Sequence, residues 1–368
     1  MSDQLRFAMV GAGWWAHAAH LPAIAEDRTI SLAAVCDPSL DRANSAAADF
    51  GGAAAFTDVG EMLRSVQVDC AVVATPHTTH RPLVEQLLRA GVHVLVEKPM
   101  TTTAEDAWAL VSLARSSGRH LSVGLTYQYA TTAPTVRDIV RNDIGDLVSV
   151  NAEFSSHTQE LFSGVGRFAA QAHDPAAPHG MSYADPTLSG GGQGQSQLTH
   201  LLGNLFWNTN IQAAQAFAYF DNRGLPVDIV NALTFRLDNG AIGAATSTGT
   251  TPSGVEARQR IRYHGTRGMV EHDLLKAEAW VFGEDGFIRH VHNSEALPSY
   301  PRREPVTSFA RLVRGDGENR APADLAAASV SLIEAAYISA AEGRPVDVLQ
   351  GVISSDERQR EETTHRAH

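Results

Sequence analysis

The chain has 368 residues, of which 43% are hydrophobic and 19% charged, a composition typical of a soluble globular protein with more than one domain. Its formal net charge of −12 argues against nucleic acid or an anionic membrane as a main partner. The only two cysteines, Cys36 and Cys70, each lie within an apolar run, which indicates buried thiols in a reducing compartment. No apolar run approaches the roughly 18 residues of a membrane span, and a strand is predicted soon after Met1. We therefore expect a cytoplasmic protein without a signal peptide.

The first predicted strand, Leu5–Val10, leads into a glycine-rich turn and then into a helix that we expect to end near Asp27. The turn has the spacing G-x-G-x-x-(G/A), with a strand before it and a helix after it, as dinucleotide-binding turns require. The first glycine allows the tight turn, and the second lets a pyrophosphate approach the backbone at the helix N-terminus. The predicted cofactor-binding residues of this turn are Gly11, Ala12, Gly13, Trp14 and Trp15.

An acidic residue, Asp37, follows the second predicted strand, which runs from Ser31 to Cys36. A carboxylate at this position accepts hydrogen bonds from the adenosine ribose and repels a 2′-phosphate. Asp37 therefore predicts NAD as the cofactor in preference to NADP. The alternative is a helix cap, because Asp37-Pro38-Ser39 also opens a helix, and the two roles are compatible.

Alternating strands and helices continue to Leu125 and predict a doubly wound parallel sheet. Two of its strands end directly before the segments Thr75-Pro76-His77 and Glu97-Lys98-Pro99. Open α/β sheets bind their ligands at the carboxyl ends of the strands, so both segments are predicted to lie on the cofactor side.

The second of these segments carries a lysine whose position follows from the proline after it. Proline cannot continue a central strand, so the strand ends at Lys98, which is therefore predicted at the carboxyl end of the sheet. The alternative is a surface lysine paired with Glu97. His77 and His80 could suggest a metal pair, but no acidic or cysteine partner has a suitable spacing. We therefore predict cofactor contacts for both histidines and no metal.

With these residues in line, the chain resembles the Gfo/Idh/MocA family of NAD(P)-dependent sugar and inositol oxidoreductases. The matching residues are Gly11-Ala12-Gly13, Asp37, the segment Thr75 to His80 and, most specifically, Glu97-Lys98-Pro99. The resemblance implies a second domain built on a large, open, mostly antiparallel sheet. It also implies a homodimer or homotetramer, because one face of that sheet is usually buried between subunits.

After Gly124 the parallel rhythm is lost, and alternating or apolar runs predict strands at 146–156, 215–220, 227–237, 241–248, 256–263 and 269–273. Asp238-Asn239-Gly240 separates two of them and is typical of a hairpin turn. The predicted fold is α/β, with an N-terminal Rossmann sheet in residues 1–125. An α+β domain with the antiparallel sheet follows in residues 126–350, for substrate binding and oligomerisation, and 351–368 is predicted to be a flexible tail.

A run of glycines at 190–192 opens another predicted helix, where the chain can approach a ligand closely. Residues four apart share a helix face, which pairs Ser196 with His200 and Gln193 with Gln197. The resemblance matches His200 to the histidine of the family, whereas Ser196 stands where an aspartate is usual. Without that anion, His200 is expected to have a lower pKa than in relatives that carry it. The alternative is a capped structural helix with an ordinary histidine.

Three further residues are candidates because of their positions. Tyr127 and Gln128 follow the last N-terminal strand, where the resemblance implies cofactor and substrate contacts, and His157 matches a position that often lines the sugar site. Each could instead be a packing residue between domains. The segment Ser163–Pro186 is predicted to be a long loop, which would serve either as a lid over the pocket or as an oligomer arm.

The function that we expect is an NAD-dependent dehydrogenase acting on a ring hydroxyl of a small polyol, namely a neutral sugar, sugar derivative or cyclitol. His200 would take the hydroxyl proton while hydride leaves for the nicotinamide, and Lys98 would stabilise negative charge on the oxygen. The predicted substrate-binding residues are Lys98, Tyr127, His157, Ser196, Gln197 and His200. Two alternatives stay open: an NAD-dependent glycosidase that oxidises its sugar transiently, and a non-catalytic nucleotide-binding regulator of the same fold.

Overall fold

A computed structural model describes residues 4–164, 181–293 and 298–353 of the chain. Its N-terminal sheet is parallel, as the alternating pattern predicts, and has six strands in the order β3-β2-β1-β4-β5-β6. The strands are β1 (Leu5–Val10), β2 (Ile30–Cys36), β3 (Ala54–Phe56), β4 (Cys70–Val73), β5 (His93–Val96) and β6 (Leu121–Val123). Cys36 and Cys70 are free thiols buried in this sheet.

Helices cover both faces of this parallel sheet. They are α1 (Leu21–Glu26), α2 (Leu40–Asp49), α3 (Val59–Ser65), α4 (His80–Arg89) and α5 (Ala104–Ser116). The side chains of Ser39, Asp58 and Thr103 cap α2, α3 and α5 by accepting a hydrogen bond from a backbone N–H in the first turn. Ser39, and not Asp37, is therefore the cap of α2.

The second sheet has nine strands in the order β14-β13-β12-β11-β7-β10-β9-β8-β15. Only β7 and β10 pair in parallel among these described strands, so the predicted mostly antiparallel sheet is confirmed. The strands are β7 (Leu147–Ser155), β8 (Ala213–Asp221), β9 (Val230–Leu237), β10 (Ile242–Thr248), β11 (Arg258–Gly265), β12 (Gly268–Asp273), β13 (Glu278–Gly283), β14 (Ile288–Val291) and β15 (Val346–Asp347). The predicted turn at 238–240 joins β9 to β10, with Gly240 in the left-handed region at φ 88°.

Seven helices of the described residues follow the N-terminal sheet in the chain. They are α6 (Ala133–Asn142), α7 (Gln159–Phe162), α8 (Met181–Ala184), α9 (Pro186–Ser189), α10 (Thr199–Thr209), α11 (Glu304–Val313) and α12 (Ala323–Glu342). One face of the second sheet packs on α6, α10 and α12, and every residue of α10 is buried there. The core of the second domain therefore holds α10, which carries His200, rigidly in place.

The longest described helix, α12, is a core helix. By length and composition it is apolar enough to cross a membrane. However, most of the helix is buried inside the protein, where it packs on β8, α5 and α10. Core helices of folded proteins share this composition, because a helix buried on most sides is apolar on most sides.

The two late helices also connect the domains. Val306, Phe309 and Ala310 of α11 belong to the hydrophobic layer on one face of the N-terminal sheet, and the first half of α12 belongs to the layer on the other face. The domain limits at residues 125 and 350 stay a prediction. The residues of the predicted tail beyond Ile353, and residues 165–180 of the predicted loop, lie outside the described residues.

Candidate active site

The glycine-rich turn after β1 leaves room for a dinucleotide. Gly11 has φ +94°, and a Cβ on it would lie 2.5 Å from the carbonyl oxygen of Ala74, so only glycine fits here. A Cβ on Gly13 would meet no atom within 4 Å, because that position faces open space. The backbone N–H of Ala12 donates to Oδ2 of Asp37 at 3.0 Å, which joins the turn to the end of β2. These residues therefore fit the pyrophosphate and ribose of a dinucleotide cofactor.

A cavity of about 230 Å³ opens beside this turn, between the two domains. The residues that line it are Trp14, Trp15, Ala74, Thr75, His77, Glu97, Lys98, Thr158, Leu161, Tyr183, Gln197, His200 and Tyr300. Eight of these, namely Trp14, Trp15, Thr75, His77, Glu97, Lys98, Gln197 and His200, are residues that the sequence predicts for the site. The structure thus brings the lysine at the end of β5 and the histidine of α10 to one cavity.

Lys98 reaches across the domain boundary. Its half-buried ammonium donates a hydrogen bond to the backbone carbonyl of Ser196 at 2.6 Å. Ser196 lies in a π-helical turn, Gly194–Leu198, that directly precedes α10. Burial lowers the pKa of Lys98 to about 8, although the neighbouring carboxylate of Glu97 opposes this shift. Lys98 can therefore change its protonation state close to neutral pH.

Glu97 is held from the first helical segment of the chain. Its Oε1 accepts hydrogen bonds from the indole N–H of Trp15 at 2.8 Å and lies 2.9 Å from Nε2 of His20. Burial raises the pKa of Glu97, but the contacts with His20, Lys98 and Trp15 outweigh it, so that the net pKa is lowered. A Cβ on Gly124 would lie 2.5 Å from Glu97 Oε1, so this glycine makes room for the carboxylate. The carboxylate of Glu97 therefore lines the cavity next to Lys98.

His200 is buried in α10, and its Nδ1 has no hydrogen-bond partner. Burial, reinforced by the positive charge of Lys98, holds the pKa of His200 well below its ordinary value. Tyr127 and Tyr300 contact the imidazole edge-on, with ring centroids 5.5 and 6.2 Å away. At neutral pH the imidazole is therefore uncharged, which is the form that can accept a proton. Burial is the main cause of this low pKa, and the expected difference from relatives that carry the aspartate stays a prediction.

A buried carboxylate orders the glycine turn in front of α10. Asp228 Oδ1 accepts from the N–H of Gly192 at 2.7 Å and from the hydroxyl of Tyr337 at 2.5 Å. Its Oδ2 accepts from the N–H of Gly194 at 2.8 Å and from Nδ2 of Asn231 at 2.7 Å. Asp228 thereby fixes the backbone that carries the Lys98 acceptor. Sequence reasoning missed this residue, because an isolated aspartate far along the chain gives no local signal.

The structure corrects the predicted role of Ser196. Its Oγ is buried without a hydrogen-bond partner and does not line the cavity, so its contribution is the backbone carbonyl. The reason is the π-helical turn, which inserts a wider turn than the α-helix assumed in pairing Ser196 with His200. Gln197, the next residue, lines the cavity with His200 instead.

Two predicted cofactor contacts are also corrected, because their side chains serve the protein interior. The ring nitrogens of His80 lie 2.9 Å from the carbonyl oxygens of Pro99 and Thr75, which leaves neither nitrogen for a ligand. Gln128 is fully buried, and its Nε2 donates to the carbonyl of Gly203 in α10 at 2.9 Å. Both residues fix the frame of the site without lining its cavity.

The remaining two predicted substrate contacts do not line the cavity either. Tyr127 is buried behind His200, with its hydroxyl directed to Gln259 of β11. His157 is exposed, and its Nδ1 lies 2.9 Å from the carbonyl oxygen of Thr251. The next residue, Thr158, lines the cavity where His157 was predicted to do so.

Two of the residues that line the cavity are tyrosines that sequence reasoning missed. Tyr300 packs against Tyr127 at 4.7 Å and Trp15 at 6.1 Å between ring centroids, and Tyr183 packs edge-on to His77 at 5.9 Å. Burial raises the pKa of Tyr183 to about 12. Tyr183 lies in the short helix α8 and Tyr300 in an irregular segment. Neither belongs to a motif, so only their tertiary contacts identify them.

His77 contributes a further uncharged group to the cavity wall. Its Nδ1 lies 2.9 Å from the carbonyl oxygen of Ser189, and burial lowers its pKa to about 3. Among the residues that the structure describes, no group of three or more His, Cys, Asp or Glu side chains is arranged to hold a metal ion.

The parallel sheet, the open glycine turn and the lysine–histidine cavity define a nucleotide-binding protein of the oxidoreductase class. Residues 5–125 match the model of the Gfo/Idh/MocA family, an oxidoreductase family with an NAD-binding Rossmann fold. The resemblance drawn from the motifs is therefore confirmed for this N-terminal domain.

Individual relatives extend this similarity with different coverage. The Uncharacterized oxidoreductase YdgJ of Escherichia coli (strain K12) is 27% identical over 92% of this chain and 97% of its own length. D-glucoside 3-dehydrogenase of the same organism is 32% identical, but the match covers only 39% of this chain and 41% of that enzyme. A solved structure of levoglucosan dehydrogenase in complex with NADH and L-sorbose has a TM-score of 0.78 over 95% of this chain and 100% of its own, at 17% identity. This last similarity establishes the common fold.

Proposed function

We propose that the protein is an NAD-dependent dehydrogenase that moves a hydride between the nicotinamide and a ring hydroxyl of a sugar, sugar derivative or cyclitol. The observation that carries the proposal is that Lys98 and His200, from different domains, line one cavity beside the dinucleotide turn. When bound, NAD supplies a hydride acceptor at the nicotinamide ring. The residues of the chain supply everything else: they bind the sugar, orient it and move its proton.

The roles of His200 and Lys98 follow from their protonation states. The uncharged imidazole of His200 accepts the proton of the reacting hydroxyl during oxidation and returns it during reduction. The ammonium of Lys98, held by the Ser196 carbonyl, stabilises the negative charge that develops on the substrate oxygen. With a pKa of about 8, Lys98 is still mostly protonated at neutral pH and can play this part.

The walls of the cavity favour a neutral sugar ring. Trp14, Trp15, Tyr183 and Tyr300 offer apolar faces, against which the C–H groups of a pyranose or cyclitol ring can pack. Lys98 is the only lysine or arginine among the described residues that line the cavity, which disfavours a phosphorylated or strongly anionic substrate. The dehydrogenase relative that acts on a glucoside supports the same substrate class.

The open face of the second sheet supports the proposal of a homodimer or homotetramer. Tyr219, Ile242 and Trp280 are 70%, 57% and 41% exposed on or beside this face. Light scattering after size exclusion would test this, and a monomer at micromolar concentration would exclude it.

The decisive experiment follows NADH formation while purified protein is offered a panel of inositols, hexoses, pentoses and glycosides. We expect turnover of at least one neutral compound, a loss of about 10²- to 10⁴-fold for His200→Gln, and about 10²- to 10³-fold for Lys98→Met. Lys276→Met is the matched control, since Lys276 is exposed and is the only other lysine of the chain. Turnover of the two site variants at the wild-type rate would contradict the assigned roles.

A further inference from the structure

A buried histidine outside the cavity contacts the carboxylate next to Lys98. His20 is fully buried, and its Nε2 lies 2.9 Å from Oε1 of Glu97. Its other ring nitrogen, Nδ1, has no hydrogen-bond partner among the described residues. A proton on Nδ1 would be a buried donor without an acceptor, which is unfavourable. The geometry therefore favours the form of the ring that carries a proton on Nε2 and donates it to Glu97.

A π-helical turn brings His20 within reach of this carboxylate. The segment Ala16–His20 is π-helical, and the N–H of Leu21 donates to the carbonyl of Ala16, five positions back. Residues five apart lie one turn apart in such a segment, whereas in an α-helix they would be about 140° apart around the axis. Trp15 and His20 are five apart and contact the same oxygen of Glu97. The π-helical turn therefore allows both side chains to hold Glu97.

Glu97 connects His20 to the lysine. Its Oε1 accepts from Trp15 and His20, and its Oε2 accepts from the backbone N–H of Lys98 at 3.2 Å. The ammonium of Lys98 donates to the carbonyl of Ser196, and the charge of Glu97 raises its pKa against the effect of burial. Burial raises the pKa of Glu97 itself, and His20 is the strongest of the contacts that lower it. Without His20, Glu97 would take up a proton and Lys98 would lose the neighbouring anion.

We propose that His20 is a positioning residue of the active site, which keeps the Glu97 carboxylate charged and in place and thereby keeps Lys98 protonated for the reaction. The inference deepens the proposed function and rests on it for the role of Lys98. The other titratable groups that face Glu97 or Lys98 keep one charge state between pH 7 and pH 9, because burial lowers the pKa of the histidines and raises that of the tyrosines. They are His77, His80, His200, Tyr129, Tyr183 and Tyr300.

The test follows the titration of Lys98 in the full chain by NMR, after reductive methylation with ¹³C-formaldehyde. We expect His20→Leu to lower the pKa of Lys98 by about one pH unit, because the neighbouring anion is lost. At pH 8 the fraction of ammonium would then fall from about a half to about a tenth, and kcat/KM about fivefold. His20→Gln keeps an N–H donor near the position of Nε2, so it should restore most of both quantities.

A double substitution tests whether His20 acts through Glu97. In the Glu97→Gln background, His20→Leu should lower the pKa of Lys98 no further, because no carboxylate is left to hold. The matched control is His17→Leu. His17 belongs to the same π-helical segment, but it is partly exposed and its Nδ1 lies 3.0 Å from the carbonyl oxygen of Gly13. This control should leave the titration of Lys98 unchanged.

Two results would overturn the inference: an unchanged titration of Lys98 in His20→Leu, or additive effects of His20→Leu and Glu97→Gln. An upward shift toward the ordinary value of 10.5 would overturn it as well, because it would mean that the substitution only loosens the core and exposes Lys98 to water. Failure of the proposed dehydrogenase reaction is distinguishable, because the titration of Lys98 is measured without any substrate.

Discussion

The sharpest consequence of the site concerns the protonation of Lys98. Burial lowers its pKa from the ordinary 10.5 to about 8, and the ammonium is the form that stabilises negative charge on the substrate oxygen. Activity should therefore be lost as the pH rises through 8. One pH unit above the pKa only about a tenth of the lysine stays protonated, so kcat/KM should fall about tenfold for each further unit.

The acidic side of the same profile depends on His200. An ordinary histidine would be half protonated near pH 6.5 and would lose its capacity as a base below that value. Because the pKa of His200 lies well below its ordinary value, activity should stay level between pH 7 and pH 6. The expected profile for oxidation is thus a plateau that ends on the alkaline side, and not a bell centred near neutrality.

The titration of Lys98 can be measured without any substrate. The chain has only two lysines, Lys98 and Lys276, so reductive methylation with ¹³C-formaldehyde labels just these two and the N-terminal amine. Lys276→Arg removes one lysine signal and assigns the other. We expect the Lys98 signal to titrate near pH 8, and Lys98→Arg to move the alkaline loss of activity beyond pH 10 because arginine keeps its proton. A Lys98 signal that titrates near the ordinary value of 10.5 would refute this account of the site.

Further variants test the surroundings of the lysine. Glu97→Gln removes the anion that raises the pKa of Lys98, so the alkaline limb of the pH profile should shift below that of wild type; an upward shift would contradict this. Gly192→Ala places a Cβ 2.0 Å from the carbonyl oxygen of Asp228, and should lower the free energy of unfolding by about 1–3 kcal/mol in urea titrations. Gly254→Ala is its control, because a Cβ there meets no atom within 4 Å, and equal effects of the two substitutions would argue against the tight turn.

The parts of this protein that the sequence predicts are encoded by neighbouring residues. The strand, glycine turn and helix around Gly11 and the strand ended by Pro99 depend on local backbone preferences, as does the cap at Ser39. For this reason the parallel character of the first sheet, the nucleotide-binding turn and the place of Lys98 could be predicted from patterns of a few residues. The mostly antiparallel second sheet was implied by the family resemblance, and the alternating runs and the turn at 238–240 agree with it.

Contacts between residues far apart in the chain were decided only by the tertiary structure. Lys98 and the Ser196 carbonyl are 98 positions apart, and Asp228 reaches back 36 positions to the N–H of Gly192. The π-helical turn, which hides the Ser196 hydroxyl and presents its carbonyl, differs from an α-helix by a single hydrogen-bond step that residue spacing does not reveal. Tyr300 reaches the cavity from an irregular segment. Such contacts depend on how two domains pack, because burial and the low local dielectric act on whichever side chains meet there, regardless of their order in the chain.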